Sequence, residues 1–309
     1  MIMKDAEYYQ NSNKITYIST LLRSEVEMMI HNYFQERGYI FIVPPVLHEQ
    51  VKNKKFEIYL PLYNDRYALN SSNALYLGAY AADFKKVYSI SSCFRDESDS
   101  QNHLIEFRML EVETVGMNFE YMIVQIENLI SYILDNLLES AFVLSVEDLK
   151  NRIFLLRDNF KPKRIPYQEF IKTLNKSKPG KQYGSIDISS VDYSISHMLK
   201  TPVFITDYSS KFATWTAKKK TQETSWALNL MLPDTYGELC EGCERTNDYK
   251  LLSYKISCAK VKHLQWYVEA VKKINSERSG YGIGIDRMIR WIVGAKDISS
   301  TLMFPRVKE

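Results

Sequence analysis

The chain has 309 residues, 45% hydrophobic and 25% charged, and its 40 basic residues nearly balance 37 acidic ones, for a net charge of +3. That balance excludes a general nucleic-acid-coating role, and the low glycine (11) and proline (9) counts exclude collagenous and low-complexity classes. No apolar run reaches the roughly 18 residues of a membrane span, MIMKDAEYYQ is not a signal peptide, and four cysteines make no disulfide scaffold, so a reduced, cytoplasmic protein is expected.

A helix is predicted over about residues 15–36, where Ile18, Leu22, Val26, Met29, Ile30 and Phe34 recur at helical spacing, with Gly38 as its stop. Tyr39 to Val43 reads as a buried strand closed by Pro44-Pro45. Residues 56–92 read as short strands with polar turns. A long strand follows over 104–116, with Glu106, Arg108, Leu110, Val112 and Thr114 on one face and Phe107, Met109, Glu111 and Glu113 on the other. A second helix covers about 119–143, with Met122, Ile126, Ile130, Ile133 and Leu137 on one stripe. Periodicity is weakest over 157–200; strands are predicted at 202–206, 226–232 and 250–261, and a last helix starts near Asp286. With no repeat and no linker, the pattern predicts one α+β domain over 1–309, built on a mostly antiparallel sheet flanked by helices.

Three segments carry chemistry. The first places Arg95, Glu97, His103, Glu106 and Phe107 on a strand–loop–strand hairpin. An arginine there clamps phosphate through its planar fork, and a phenylalanine offers a stacking face to a purine. The second is Gly280-Tyr281-Gly282-Ile283-Gly284-Ile285-Asp286-Arg287, a strand of alternate glycines that can pass close to something else before Arg287 opens a helix. It is not a dinucleotide fingerprint, because little more than one helix follows it. The third holds Glu238, Cys240, Cys243 and Arg245. Cys240 and Cys243 have metal-ligand spacing, but no second such pair or nearby histidine pair completes a zinc site.

In their order and spacing these segments resemble the catalytic core of class II aminoacyl-tRNA synthetases, in the aspartate, asparagine and lysine subgroup. Glu36 to Pro45 is similar to motif 1 of that family, Phe94 to Phe107 to motif 2, and Gly280 to Arg287 to motif 3, with Phe304-Pro305-Arg306 like the usual chain ending. Leu69-Asn70-Ser71-Ser72-Asn73, Lys163-Arg164-Ile165-Pro166-Tyr167 and Tyr183-Gly184-Ser185-Ile186-Asp187 resemble segments of the asparaginyl members. Arg245 falls where aspartate and asparagine enzymes keep an arginine, a charge that suits a carboxylate or side-chain amide and repels an ammonium.

The resemblance implies ATP-dependent formation of an acyl adenylate. Arg95 would grip the α-phosphate and the attacking carboxylate, while Arg287 and His103 hold the γ-phosphate end. Glu97 and Phe107 would receive adenine, Glu238 with Asn229 would hold Mg2+, and Ser72 and Glu111 would take the substrate ammonium, with Arg245 reading the side chain. Ala74 and Asn229 depart from the family, which has Gln and Asp there. The resemblance begins near the start of the chain, so a protein without the OB-type anticodon domain of the subgroup is expected. It therefore most resembles the archaeal-type asparagine synthetases related to asparaginyl-tRNA synthetases. On that basis a homodimer is expected that activates aspartate or a related amino acid and passes the acyl group to ammonia or another amine. Transfer to tRNA is not expected. A catalytically inactive paralogue that senses an amino acid is the alternative.

Overall fold

In a computed structural model, residues 13–49, 57–62, 65–96, 102–177, 186, 188, 196–259 and 261–307 are described. In chain order the main elements are α1 (Lys14–Gln35), β1 (Ile40–Phe41), β2 (Leu47–Glu49), β3 (Tyr59–Leu62), β4 (Asp65–Leu69), α2 (Ala74–Phe84), β5 (Lys86–Phe94) and β6 (Glu106–Val115). Then come α3 (Phe119–Glu139), α4 (Ala141–Leu144), α5 (Glu147–Asn159), β7 (Lys163–Pro166), α6 (Tyr167–Ser177), β8 (Val203–Thr206), β9 (Tyr208–Ser209) and β10 (Thr224–Ser225). The chain finishes with β11 (Ala227–Leu232), β12 (Gly237–Glu244), α7 (Tyr249–Cys258), α8 (Gln265–Lys272), β13 (Arg278–Gly284) and α9 (Ile285–Val293).

Eight strands form one sheet in the order β1-β5-β6-β13-β12-β11-β8-β7. Only the outer pairs β1–β5 and β7–β8 are parallel; every inner pair is antiparallel. Helices α1, α3 and α9 cover one face and bury Leu22, Val26, Ile126, Ile130 and Ile289 against Leu110, Val112, Leu230 and Ile283. Three smaller cores lie elsewhere: one around Tyr167 and Phe170 packs on Val203, Ile205 and Ala227 of the sheet, one around Leu252 and Val268 joins α7 to α8, and one sets Leu77 and Ala81 of α2 against Val87.

The expected start of α1 holds in detail. Asn13 caps it by accepting from the Ile15 and Thr16 amides at 2.8 and 3.2 Å, and Gly38 takes φ +73° after its end. The two expected faces of β6 also hold: Leu110 and Val112 enter the helical core, while Glu111 and Glu113 serve the opposite face.

Four expectations are corrected. Residues 250–261, read as a strand, contain α7, which buries Leu252 and Ile256 one helical turn apart and is capped by Asp248. The 56–92 stretch contains α2, whose small alanines and glycine hid its periodicity. The helix expected over 119–143 stops at Glu139, where Ser140 turns extended and caps α4. The strand at 39–43 pairs only at Ile40–Phe41 and is a sheet edge buried on one side only: Tyr39 and Ile42 are buried, while Ile40, Phe41 and Val43 are exposed, Val43 at 78%. Among the described residues no helix is long and apolar enough to cross a membrane.

Candidate active site

The centre of the uncovered face is a floor of three strands, β6, β13 and β12. Register places Glu113, Gly280 and Cys243 in one row and Glu111, Gly282 and Glu241 in the next. The middle strand thus contributes two glycines, leaving a groove banked by side chains from either neighbour. Strand spacing puts those banks about 10 Å apart.

At one end of the groove Glu113 and Arg245 form an ion pair almost out of water. Arg245 Nε donates to Glu113 Oε1 at 2.7 Å and Nη2 lies 2.5 Å from the same oxygen. Its Nη1 donates to Thr216 Oγ1 at 3.1 Å and to Cys243 Sγ at 3.0 Å. Burial pushes the Cys243 thiol up to about 11, so the sulfur stays a neutral acceptor. Glu113 Oε2 is buried and has no donor. Arg245 is therefore no surface cation, and the neighbouring Glu244 accepts instead from Lys218 and from the Phe119 amide.

Next along β6, Glu111 accepts from the Ser72 hydroxyl at 2.5 Å and from the Asn73 amide at 2.7 Å. The structure therefore brings together the two residues expected to take the substrate ammonium. Ser71, in the same turn, accepts from Arg95 Nε and Nη2 at 3.3 and 3.2 Å. The Arg95 guanidinium also lies 5.3 Å from the centroid of the Phe107 ring. Arg95 thus stands between the Ser72–Glu111 pair and the Phe107 ring.

The third group gathers around Arg287. Its Nη1 donates to the Glu238 carbonyl at 2.6 Å and lies 3.7 Å from the Glu238 carboxylate, while Nη2 donates to His103 Nε2 at 3.0 Å. Asn229 donates its side-chain amide to Glu238. A β-bulge creates this grouping. Leu230 pairs with Cys240 but Met231 with Glu238, leaving Leu239 unpaired. Leu239 and Cys240 both enter the helical core, so Glu238 emerges on the groove side.

Cys240 and Cys243 consequently lie in different cores on opposite faces of β12. Burial also raises the Cys240 pKa well above the ordinary thiol range, so the pair is neither a metal clamp nor a thiolate couple. Among the described residues no three His, Cys, Asp or Glu side chains gather as a metal site. Glu97 lies outside the described residues, as does most of the segment 183–187.

Several positioning residues escaped the sequence reading. Glu113 was legible only as part of a polar strand face; its spacing of two from Glu111 was the available signal. Arg290, 1% exposed, donates to the Asn102 side chain and to the carbonyls of Thr235 and Lys296, at 3.2 and 2.8 Å for the carbonyls. Asn102 immediately precedes His103, so this buried cation fixes the loop end that carries the histidine. Asp286 accepts from the Arg108 amide at 2.6 Å and from Arg23, which pins the start of α9 and hence Arg287.

Comparison with known proteins places this geometry among relatives. The family described as tRNA synthetases class II (D, K and N) matches residues 6–308. An asparagine–tRNA ligase of Thermus thermophilus is 28% identical over 301 residues, covering 93% of this chain and 68% of that ligase. Asparaginyl-tRNA synthetase from Entamoeba histolytica, solved with asparaginyl-adenylate, superposes with a TM-score of 0.82 at 23% identity, covering 95% of this chain and 68% of that one. The Pyrococcus horikoshii asparaginyl-tRNA synthetase complexed with asparaginyl-adenylate gives the same TM-score and identity over 95% and 69%.

Gly280 offers a direct test of the floor. A Cβ there would fall inside contact distance of Glu113 Oε1 and 2.8 Å from Arg245 Nη2, whereas one at Gly282 would meet the flexible end of Met109 at 2.9 Å. Gly280→Ala is therefore expected to cost about 1–3 kcal/mol by overpacking and to raise the amino-acid KM at least tenfold. Gly282→Ala should do less of both, as calorimetry and steady-state kinetics would read.

Proposed function

This chain belongs to the class II tRNA synthetases of the D, K and N group, and from that premise we propose that it activates an amino acid with a side-chain carboxamide, asparagine or a close analogue, as an acyl adenylate formed with ATP. The observation that carries this reading is the Glu113–Arg245 pair. Thr216, Cys243 and Glu113 Oε1 engage Arg245 so that one N–H, on Nη2, is left to give, and Glu113 Oε2 is left to accept. One donor beside one acceptor complements the C=O and NH2 of an amide. A side-chain carboxylate would bring a second negative charge against Glu113. The sequence left a carboxylate or an amide open for Arg245; its partner favours the amide over the aspartate first expected.

The remaining groups support the chemistry. The Ser72–Glu111 pair suits the α-ammonium and leaves the α-carboxylate near Arg95. Arg95 offsets the charge that grows on the α-phosphate as the carboxylate attacks, and Phe107 offers its ring to adenine. Arg287 and His103 suit the leaving pyrophosphate. Mg2+ fits the remaining residues. The ion takes one or two carboxylates together with substrate phosphates, and Glu238 with Asn229 supplies one carboxylate and one amide oxygen on the groove side. Those two residues would hold it, and it would neutralise phosphate charge. This intact set favours an enzyme over the amino-acid-sensing alternative.

The relatives are named for tRNA as their acceptor, so they give no support to the asparagine-synthetase reading or to the expectation that tRNA is not a substrate. Acceptor choice rests with groups beside the scissile bond rather than with the specificity pair.

ATP–pyrophosphate exchange across the twenty amino acids tests the proposal. Asparagine should exchange fastest, and Glu113→Gln should narrow its advantage over aspartate at least tenfold. Aspartate exchanging as fast as asparagine in the parent chain would overturn it. Arg95→Ala should lower exchange by roughly 100-fold or more, in line with the loss of a preorganised charge at the reacting centre; an undiminished rate would remove Arg95 from the mechanism.

A homodimer remains the proposed state. Ile40, Phe41, Val43 and Val46 form an exposed apolar edge at β1, whose outer side has no neighbouring strand in the sheet and invites a second copy. Sedimentation should show a dimer at micromolar concentration and a monomer for Val43→Asp; a monomeric parent would contradict this.

A further inference from the structure

Tyr267 carries a buried hydroxyl that the reading above leaves unused. Alternation along β13 puts Gly284, Gly282, Gly280 and Arg278 on the groove face. Register pairs the last three with Glu111, Glu113 and Val115. The floor is bare as far as Gly280, apart from the end of Met109 beside Gly282, and then meets a guanidinium one row past Glu113.

Arg278 is 1% exposed and donates from Nη1 and Nη2 to the Tyr267 hydroxyl oxygen, both at 3.1 Å. Its Nε donates to Asn247 Oδ1 at 2.8 Å and its Nη2 also to the Thr246 carbonyl at 2.9 Å. Tyr267, on α8, is equally buried. Two neighbours set its ring at the end of the groove. Trp215 packs edge-on against it with ring centroids 5.8 Å apart, and Trp215 precedes Thr216, which accepts from Arg245. Helix α2 comes so close that a Cβ at Gly78 would lie 2.9 Å from Tyr267 Cε2. That helix follows directly on Ser72 and Asn73, the two donors to Glu111, so it spans the groove from the ammonium end to Tyr267.

Both lone pairs of the Tyr267 oxygen receive Arg278 N–H groups, so the hydroxyl can only donate. Among the described residues its hydrogen has no acceptor. Burial raises the Tyr267 pKa above the ordinary phenol value, against the opposing pull of Arg278 and Arg245, so the hydrogen stays in place at neutral pH. A buried donor without an acceptor is costly, and a ligand that accepts from it recovers that cost. The charged groups acting on this hydroxyl are Arg278, Glu113 and Arg245. Two guanidiniums against one carboxylate favour the negative end of a C=O dipole beside it. A side-chain amide seated on Arg245 and Glu113 accepts from Arg245 Nη2 through one lone pair of its oxygen, and the second lone pair is left for another donor.

We propose that Tyr267 is a further specificity residue, whose hydroxyl donates to the side-chain oxygen of the bound amino acid. The inference rests on the adenylation reading above and deepens it. Arg245 and Tyr267 together require an oxygen on the substrate side chain, and Glu113 decides between amide and carboxylate. An isostere without that oxygen leaves both buried donors unpaired, so the site rejects it far more strongly than an apolar wall could. Leucine is such an isostere of asparagine, with methyl groups in place of the oxygen and the nitrogen.

Calorimetric titration of the full chain with the asparaginyl, aspartyl and leucyl sulfamoyl analogues of the adenylate tests this. The parent should bind the leucyl analogue at least 100-fold more weakly than the asparaginyl one. Tyr267→Phe, which keeps the ring against Trp215, should weaken the asparaginyl and aspartyl analogues alike, each at least tenfold. Their ratio and the leucyl affinity should stay within threefold of the parent's. Because the lost hydroxyl also deprives Arg278 of its acceptor, the double variant Tyr267→Phe/Arg278→Met is the structural control. It should keep the tenfold loss for the asparaginyl analogue, and it carries the test at the same thresholds if the single variant does not fold. Asparaginyl affinity within threefold of the parent's in either variant, or a leucyl analogue bound by the parent as tightly as the asparaginyl one, would overturn the proposal. Tighter binding of the aspartyl than the asparaginyl analogue by the parent would overturn the amide reading alone, since both carry the side-chain oxygen. Binding of none of the three would overturn both.

Discussion

The Glu113–Arg245 ion pair, buried at 2% and 9% side-chain exposure, sets the constraint on which the rest of the site depends. Charges taken out of water cost several kcal/mol each unless their geometry repays it. Here repayment requires Glu113 on β6, Arg245 beyond β12, and nothing on the strand between them. Gly280 meets that last condition. Thr216 and Cys243 hold the guanidinium's other amino group. The carboxylate oxygen left without a donor is the feature on which the proposed side-chain reading rests.

The sheet acts as a ruler for everything else. Side-chain alternation puts Glu111, Glu113 and Phe107 on one bank and Glu241, Cys243 and Arg245 on the other. The bulge at Leu239 breaks that alternation once and delivers Glu238 to the groove beside Arg287. Buried ties then lock the flanking pieces to the ruler. Arg290 holds the loop end at Asn102, Asp286 holds the start of α9, and the Ser72 turn closes over Glu111. Each of these ties fixes a side chain proposed to hold substrate, and small displacements of such groups are costly to catalysis.

Much of this was legible in the sequence because it is periodic or punctuated. The stripe of α1, the alternation of β6 and the glycines before Arg287 each follow from one strong local rule. The grouping of Ser72 with Glu111 and of Arg287 with His103 was legible through the resemblance, and the placing of Arg95 and Phe107 on one hairpin through the strand–loop–strand pattern. The failures share a different cause. Helix α2 is built from small residues that weaken its pattern, and α7 has Ser253, Tyr254 and Lys255 between its two buried aliphatics. The bulge is invisible to any strict period. The partnership of Glu113 with Arg245 joins residues 132 apart, and no local rule predicts whether a lone arginine in a strand end will find a buried carboxylate or a solvated one.

If that pair reads an amide, the discrimination is built into the resting protein and needs no turnover to be seen. Calorimetric titration with the non-hydrolysable sulfamoyl analogues of asparaginyl and aspartyl adenylate measures it most directly. These ligands differ only in the group that meets Glu113 and Arg245. The asparaginyl analogue should bind at least tenfold more tightly at neutral pH, a gap of about 1.4 kcal/mol or more. Equal affinities, or tighter binding of the aspartyl analogue, would contradict the amide-reading role of Glu113 and Arg245.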